Sequence, residues 1–327
     1  MIEELYHNIY RIGVPLKGNP LKELNSYFIR GEESDLLIDT GFQTEDCCQA
    51  LEAGLQELHS DKDRRDVYIT HLHADHSGLA DRFVGENRKI YMSEPDLVFI
   101  RKWTGMSYAD KDERFLQEGF SKEMLDELGK SSPSNIYVMK NWDLPCLSVV
   151  EDGSVLKVGG YELQVISVPG HTPGNTMLYE KTHGLMLSGD HILFDITPNI
   201  TFWNGVEDSL GSYLDSLNKA DEFSVRVTFP GHRKTGDYHQ RIRDLQIHHE
   251  KRVAETYQIV CDMPGRCATE IAGHMTWKIR ASSWEDFPVV QKRFAVGECI
   301  AHLDYLIRRG KIKREMDPDG VWRYERA

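Results

Sequence analysis

The chain has 327 residues, of which 40% are hydrophobic and 28% charged, a composition typical of a globular protein large enough for more than one domain. Its formal net charge of −13 at pH 7 argues against a general polyanion-binding protein. No apolar run approaches the roughly 20 residues that cross a bilayer, the N-terminus lacks a signal-peptide pattern, and the six cysteines form no CxxC pair. We therefore expect a cytoplasmic protein with no membrane partner.

The N-terminal part alternates predicted strands and helices, which indicates layered packing of sheets and helices. Strands are predicted at residues 5–14, 24–30 and 35–41, followed by a helix at 44–60. Asp39 lies at the end of the third strand, where a carboxylate is costly unless it is hydrogen-bonded or close to a cation. It is expected either to support a metal-binding loop from behind or to cap the following helix, and the sequence leaves both open.

Four potential metal ligands fall within six residues, directly after a strand predicted at 66–70: His71, His73, Asp75 and His76. Residues two apart on an extended segment project to the same side, so His71 and His73 can share one ion. Asp75 and His76 follow the turn at which a helix would begin, where they can reach a second ion. This spacing favours a metal site over four unrelated side chains.

Residues 94–132 have a different character, because charged and apolar residues recur there at helical spacing. They predict a helical insertion that separates two ligand-bearing segments. The insertion is expected either to cover the site as a lid or to pack on its flank as a helical pair. The candidates for contact with a substrate, which serve equally well as the insertion's own core, are Trp103, Met106, Tyr108, Phe115 and Phe120.

Three later strands also end in potential ligands. His171 lies in a Pro-Gly-His-Thr-Pro-Gly loop, whose prolines and glycines predict a tight, rigid turn. Asp190 ends the second strand of a predicted hairpin, and His232 ends a strand predicted at 224–232. Four strands that each end in a ligand-type residue favour one convergent site. His183 and His191 are either donors that support the site from behind, or leaving-group acids, or ordinary surface histidines, and the last is favoured. Arg233 and Lys234 either hold an anionic part of a substrate or are simple surface charges.

Residues 240–327 carry 16 Lys and Arg against 13 Asp and Glu, whereas the rest of the chain is acidic. The predicted elements are a long helix from about 238 to 261, two shorter helices at 265–275 and 295–309, and a hairpin turning at 317–320. A basic cluster either contacts nucleic acid or forms a solvated face, and the second is favoured because acidic residues flank it. The cluster consists of Arg308, Arg309, Lys311, Lys313 and Arg314.

Together these motifs resemble the metallo-β-lactamase superfamily, over about residues 5–239. The matching residues, in order, are Asp39 in Ile-Asp-Thr-Gly, the His71-x-His73-x-Asp75-His76 box, His171, Asp190 in Ser-Gly-Asp and His232 in Pro-Gly-His. The resemblance implies an α+β fold, the αββα sandwich, for residues 1–239, with the helical insertion at about 94–132. It also points to the group in which a winged-helix-like C-terminal domain follows, here residues 240–327.

The resemblance further implies a site for two divalent metal ions, with zinc expected and iron or manganese as alternatives. His71, His73 and His171 would bind the first ion, Asp75, His76 and His232 the second, and Asp190 would bridge them. The implied chemistry is hydrolysis by a metal-bridging hydroxide, with Asp75 as the catalytic residue that orients the hydroxide and takes up its proton.

The expected substrate is a small ester, thioester or lactone, because an acidic chain with a loop-borne site suits a small molecule. The alternatives are an endoribonuclease or phosphodiesterase of the lactamase-like group, and an iron-dependent sulfur dioxygenase. A non-catalytic DNA-binding regulator is disfavoured by the complete ligand set. Nucleic acid is therefore not the favoured partner, a homodimer is compatible with the chain, and the sequence leaves the substrate, the native metal and the oligomeric state open.

Overall fold

The computed structural model describes residues 2–131, 139–278 and 281–327, and gives only the backbone at 108–110 and 131. The side chain of Tyr108 and the predicted end of the insertion at residue 132 thus lie outside the described part. The chain divides into two compact units. The first consists of Met1–Thr104, Ser134–Pro198 and Ser216–Ile242, and the second of Gly105–Pro133, Asn199–Asp215 and Arg243–Ala327. The second unit takes in two segments that precede residue 240, and the division into domains at that residue stays a prediction.

The first unit contains a seven-stranded sheet whose strands lie side by side in chain order. They are β1 (Ile2–Tyr6), β2 (Ile9–Leu16), β3 (Lys22–Ile29), β4 (Asp35–Ile38), β5 (Arg65–Tyr68), β6 (Ile90–Ser93) and β7 (Leu147–Val150). Neighbours are antiparallel from β1 to β4 and parallel from β4 to β7. The helices of this part are α1 (Glu45–Glu57), α2 (Ala74–Ser77), α3 (Ala80–Phe83) and α4 (Glu94–Gly105).

A five-stranded sheet completes the first unit. Its strands are β8 (Val155–Val158), β9 (Tyr161–Ser167), β10 (Thr176–Glu180), β11 (Leu185–Gly189) and β12 (Val227–Pro230), in the spatial order β12-β11-β10-β9-β8. β11 and β12 are parallel, and the other neighbours are antiparallel. Both sheets are therefore mixed.

The two sheets pack face to face around a shared core. Tyr27 and Leu36 from the first sheet lie in one buried cluster with Leu163, Leu178 and Phe229 from the second. Because successive strand residues point to opposite faces, each strand buries alternate side chains in this layer. The expected α+β sandwich is confirmed.

Each sheet also contains a parallel pair, β4–β5 and β11–β12, whose carboxyl ends lie at a common edge and lead into the candidate ligands.

The second unit is mainly helical. It contains α5 (Tyr108–Gln117), α6 (Lys122–Ser131), α9 (Ala268–His274), α10 (Val289–Arg308) and an antiparallel hairpin of β13 (Ile312–Met316) and β14 (Trp322–Arg326). Two further helices, α7 (Ser209–Asp221) and α8 (Tyr238–Asp262), contribute residues to both units. The predicted C-terminal helices and hairpin are present, and their classification as a winged helix stays a prediction.

Part of the helical insertion belongs to the core of the second unit. Phe115 and Phe120 are buried in one cluster with Ile271, Ile300 and Leu303. These two aromatic residues are therefore core residues of the second unit.

A buried carboxylate, Glu118, connects the elements of the second unit. Its oxygens accept hydrogen bonds of 2.8 Å from Tyr324 Oη and from Arg114 Nε, and Arg314 lies 3.7 Å away. Its backbone carbonyl accepts from Thr269 N at 3.1 Å and Oγ1 at 2.9 Å. Burial raises the pKa of Glu118 from 4.5 to about 7, and Arg114 and Tyr324 oppose this shift without cancelling it.

The pKa of Glu118 predicts how the stability of the second unit depends on pH. Because the folded chain holds this proton more tightly, the contribution of Glu118 is full below about pH 4.5 and is lost as the pH rises through 7. Titration of this one group changes the free energy of unfolding by at most about 1.4 kcal/mol per pH unit. Urea unfolding at pH 5 and pH 7.5 should therefore show a smaller decrease in stability for Glu118→Gln than for the wild type. Glu113→Gln, exposed on α5, the helix that ends directly before Glu118, should keep the wild-type slope. An unchanged slope in Glu118→Gln would contradict the assignment.

Candidate metal centre

The structure brings the seven candidate ligands together at one edge of the sandwich. Their donor atoms form three overlapping groups, and within each group all atoms lie within 4.8 Å of one another. The groups are His71 with His73 and His171, His71 with His76 and Asp190, and Asp75 with His76 and His232. All seven side chains are buried except His73, which is half-buried.

The strand ends place these side chains as the sequence predicted. β5 leads into the extended segment that carries His71 and His73, and α2 begins at Ala74, so that Asp75 and His76 lie in its single turn. Asp190 and His232 follow the parallel strands β11 and β12. A backbone hydrogen bond of 2.8 Å from Gly231 N to Gly189 O holds these two strand ends beside each other.

Asp190 lies between the two histidine groups. Its Oδ1 is 3.5 Å from His76 Nε2, and its Oδ2 is 3.5 Å from His232 Nε2 and 3.8 Å from His171 Nε2. A second carboxylate also approaches His232, since Asp75 Oδ2 is 3.4 Å from His232 Nε2. One carboxylate therefore faces imidazoles from both predicted ion positions, as a bridging ligand requires.

Asp39 orients two of the imidazoles. Its Oδ2 lies 2.7 Å from His76 Nδ1 and accepts from Thr70 Oγ1 at 2.8 Å, while Oδ1 accepts from Thr70 N at 2.9 Å. Because Thr70 donates its hydroxyl proton to Asp39, its oxygen accepts from His71 Nδ1, 3.0 Å away. In their neutral, metal-binding form, His71 and His76 consequently present the lone pair of Nε2 to the site. The cap of α1 is Thr44, so Asp39 supports the ligands and does not cap that helix.

The orientation of His232 comes from β3. His232 Nδ1 is 2.8 Å from the carbonyl oxygen of Glu23, which can only accept a hydrogen bond. In the neutral imidazole of His232, the proton is therefore on Nδ1 and the lone pair is on Nε2. Asn25 holds the same loop, since its Nδ2 donates to the carbonyls of Pro230 at 2.9 Å and Arg233 at 3.0 Å. Sequence reasoning missed Asn25 and Thr70, because a buried asparagine in a strand, or a buried threonine just after one, carries no ligand-type signal.

The electrostatics differ between the two histidine groups. Burial, together with neighbouring imidazoles, holds the pKa of His71 well below its usual range and lowers that of His73 to about 3. Burial also opposes ionisation of the carboxylates, but His76 and His232 outweigh it and lower the pKa of Asp75 to about 2. The pKa of Asp190 is lowered by the same two histidines.

Two imidazoles show the opposite shift. Burial opposes protonation of His76 and His232, but Asp39, Asp190 and Asp75 raise the pKa of His76 far above its usual value, and Asp190 and Asp75 raise that of His232. The carboxylates thus create a negative field that attracts a positive charge. Neutral imidazoles and ionised carboxylates are the ligand forms of a bound cation, and this nitrogen and oxygen donor set suits zinc, iron or manganese. The residues present fit a divalent metal centre.

The other polar residues near these motifs have different positions. His191 is fully buried, and its pKa is lowered to about 3, chiefly by burial. His183 lies at the turn of the β10–β11 hairpin and pairs with Glu180 at 2.9 Å. Arg233 donates to the carbonyl of Pro20 at 2.6 Å, whereas Lys234 is exposed.

The basic cluster of the second unit is largely paired with acids. Arg308 and Arg309 form ion pairs of 2.9 and 2.8 Å with Glu207 and Asp208. The remaining pairs are Lys313 with Glu325 at 2.9 Å and Arg314 with Asp304 at 3.2 Å. Such neutralisation weakens the case for a nucleic-acid surface here. Within 2–131, 139–278 and 281–327, no helix combines the length and hydrophobicity needed to cross a membrane.

The chain is similar to known proteins that are described as metallo-hydrolases or as members of a metallo-beta-lactamase family, which agrees with a metal-binding site. The chain is 23% identical over 301 residues to the probable metallo-hydrolase YqjP of Bacillus subtilis (strain 168), with 86% of each protein covered. It is 26% identical over 228 residues to the human acyl-coenzyme A thioesterase MBLAC2, covering 64% of this chain and 73% of that protein. The crystal structure of the metallo-beta-lactamase family protein TTHA1429 from Thermus thermophilus superimposes with a TM-score of 0.81 at 27% identity, covering 99% of this chain and all of that one.

Family models match most of the chain. The model of the metallo-beta-lactamase-like C-terminal domain matches residues 285–327. The model of the metallo-beta-lactamase superfamily matches residues 22–232, which include all seven candidate ligands and Asp39. With the sandwich fold and a metal-dependent hydrolase among its relatives, the chain belongs to the metallo-beta-lactamase superfamily and is a metal-dependent hydrolase.

Proposed function

We propose that this protein is a binuclear metal-dependent hydrolase that uses a metal-bridging hydroxide to cleave a small thioester. The observation that carries the proposal is the position of Asp190, whose two oxygens face His76 on one side and His171 and His232 on the other. A bridging carboxylate is needed only where two ions are held side by side. His71, His73 and His171 would hold the first ion, and Asp75, His76 and His232 the second. We expect zinc, with iron or manganese as alternatives.

Among the small esters, lactones and thioesters that such a site can cleave, thioesters have the best support. The human relative that covers 64% of the chain is an acyl-coenzyme A thioesterase. The alternative of an RNA substrate has less support, because most residues of the basic cluster are paired with acids. A sulfur dioxygenase would require iron, so a metal analysis that finds no iron in the active protein would exclude it.

The residues of the chain have separate parts in the proposed reaction. Divalent ions, when bound, supply a water acidic enough to ionise near neutral pH and polarise the carbonyl under attack. Asp75 is the catalytic residue, since its ionised carboxylate lies beside His232 and can orient that water and accept its proton. Asp39 and Thr70 hold His71 and His76 in the required tautomer. The buried walls of the site exclude bulk water and strengthen these interactions.

The test is release of free thiol from an acyl-coenzyme A and from a glutathione thioester by the zinc-loaded protein. We expect turnover of at least one thioester well above that of a lactone and of single-stranded RNA tested in parallel. Removal of zinc with a chelator should abolish the turnover, and zinc should restore it. RNA cleavage without thioester cleavage would contradict the proposed substrate class, whereas turnover that survives the chelator would contradict the metal-dependent mechanism.

Gly231 gives a further test of the site geometry. A methyl group at this position would clash with Asp190 Oδ1 and lie 2.9 Å from His76 Cε1. Gly231→Ala should displace one of these ligands and lower kcat/KM about 100-fold, the effect of a misplacement near 1 Å. Gly105→Ala, where the added methyl meets open space, is the matched control and should leave kcat/KM unchanged. Wild-type kinetics in Gly231→Ala would show that these groups do not act as ligands in this arrangement.

A further inference from the structure

Asp96 is a buried carboxylate that the proposed reaction does not use. It lies in the first turn of α4, and its side chain has no solvent exposure. It accepts three hydrogen bonds: from Leu72 N at 2.8 Å, from Thr172 Oγ1 at 2.7 Å and from Gly174 N at 2.6 Å. These donors lie on two loops that are about one hundred residues apart in the chain.

The three donors flank the histidines of the first proposed ion. Leu72 lies between His71 and His73, and Thr172 directly follows His171. A single carboxylate thus joins the loops that carry all three of these ligands. In the part of the chain that the structure describes, none of these three partners is adjacent in sequence to Asp75, His76 or His232.

The surroundings of Asp96 make this connection specific. Ser93 Oγ donates to the carbonyl of Gly174 at 2.5 Å, and a methyl group on Gly174 would lie 2.5 Å from Asp96 N. The start of α4 therefore packs directly on the loop of His171. All three partners of the carboxylate are donors, so an ionised aspartate matches them, whereas the amide of an asparagine would turn a donor toward another donor.

We propose that Asp96 is a positioning residue for the first metal ion: by joining the two loops, its carboxylate sets the spacing of His71, His73 and His171. The inference rests on the binuclear site proposed above. It predicts that loss of the carboxylate weakens the first ion and leaves the second ion nearly unaffected, because Asp39 holds His76 and the carbonyl of Glu23 in β3 holds His232.

The experiment places Asp96→Asn in two backgrounds, each of which retains one proposed ion. His232→Ala leaves the first group of ligands, and His171→Ala leaves the second. Zinc affinity is measured by competition with a chromophoric chelator at pH 8, and cobalt is substituted for zinc to record the ligand-field absorption, which reports coordination geometry. Thermal unfolding confirms that each variant is folded.

With His232→Ala, we expect Asp96→Asn to weaken the remaining ion about tenfold or more, the usual effect of removing a group that orients ligands, and to change the cobalt spectrum. With His171→Ala, the affinity should change less than about twofold, within ordinary surface-mutation effects. Asp35→Asn alters a buried aspartate at the amino end of β4, the end that does not lead into the site. It should leave the zinc affinity unchanged in both backgrounds. Thr172→Val, which removes one of the three donors, should give a smaller effect in the same direction.

Equal affinities with and without Asp96→Asn in the His232→Ala background would overturn the inference. Equal weakening in both backgrounds would also overturn it, because it would indicate general destabilisation. Retention of two ions by either single histidine variant would instead overturn the proposed division of the ligands between the two ions, and this result is seen before Asp96 is changed.

Discussion

Replacing Asp190 by alanine should lower kcat/KM for thioester hydrolysis at least about 1000-fold, the rate equivalent of the several kcal/mol that metal ions contribute to such reactions. The physical reason is the position of Asp190 between the two histidine groups. Without its carboxylate, the negative charge that would hold the two proposed cations side by side is reduced, and one ion should be lost. Steady-state kinetics and metal analysis of the same sample measure both effects.

The matched control for this variant is Asp35→Ala. Asp35 and Asp190 are equally buried, each with 5% of its surface exposed. Asp35, however, lies at the amino end of β4, whereas the carboxyl end of that strand leads into the site. Its carboxylate accepts a hydrogen bond from Gly31 N at 3.0 Å. Asp35→Ala should bind two ions and retain turnover, apart from a loss of stability. Full activity with two ions in Asp190→Ala would refute the bridging assignment.

Asp39→Asn should lower kcat/KM and zinc affinity about 10- to 100-fold, as expected for a group that orients ligands from behind. Asp39 holds His76 directly and His71 through Thr70, so its charge acts on both proposed ions. Its backbone has a φ of 59°, a left-handed conformation that asparagine tolerates. The substitution therefore removes charge without adding backbone strain.

A second variant separates the two arms of Asp39. Thr70→Val removes only the hydroxyl that supports His71, so its effect should be smaller than that of Asp39→Asn, and competition titrations with zinc measure the difference. If Asp39→Asn bound zinc as tightly as the wild type, the carboxylate would have no part in orienting the ligands.

Much of the site was predictable because its chemistry is concentrated at strand ends. The His71–His76 box and the strand ends at Asp190 and His232 are visible in the chain, and the structure brings these residues within 4.8 Å in overlapping groups. The sequence also identified Asp39 as a residue that either supports the metal loop or caps a helix. The contact with His76 decides between these interpretations.

The supporting residues were not predictable, for a physical reason. Asn25 and Asp96 act through backbone groups that lie far away in the chain, Pro230 for Asn25 and Gly174 for Asp96. A polar residue in a strand or in the first turn of a helix is also an ordinary surface or capping residue, so only the tertiary contact reveals its role.

The packing of the insertion was left open for a similar reason. The apolar spacing of residues 94–132 predicts helices, but it does not identify the surface on which they pack. In the structure, Phe115 and Phe120 are buried with helices of the C-terminal segment. The basic cluster shows the same limit, since the partners of Arg308 and Arg309 lie about one hundred residues earlier in the chain.

The most direct test of the binuclear site is the number of zinc ions bound per chain at saturating zinc, measured for the wild type and for the His73→Ala and His232→Ala variants. The account predicts two ions for the wild type and one for each variant, because His73 and His232 belong to different proposed ions. A wild-type protein that binds a single ion, or variants that both retain two, would contradict it.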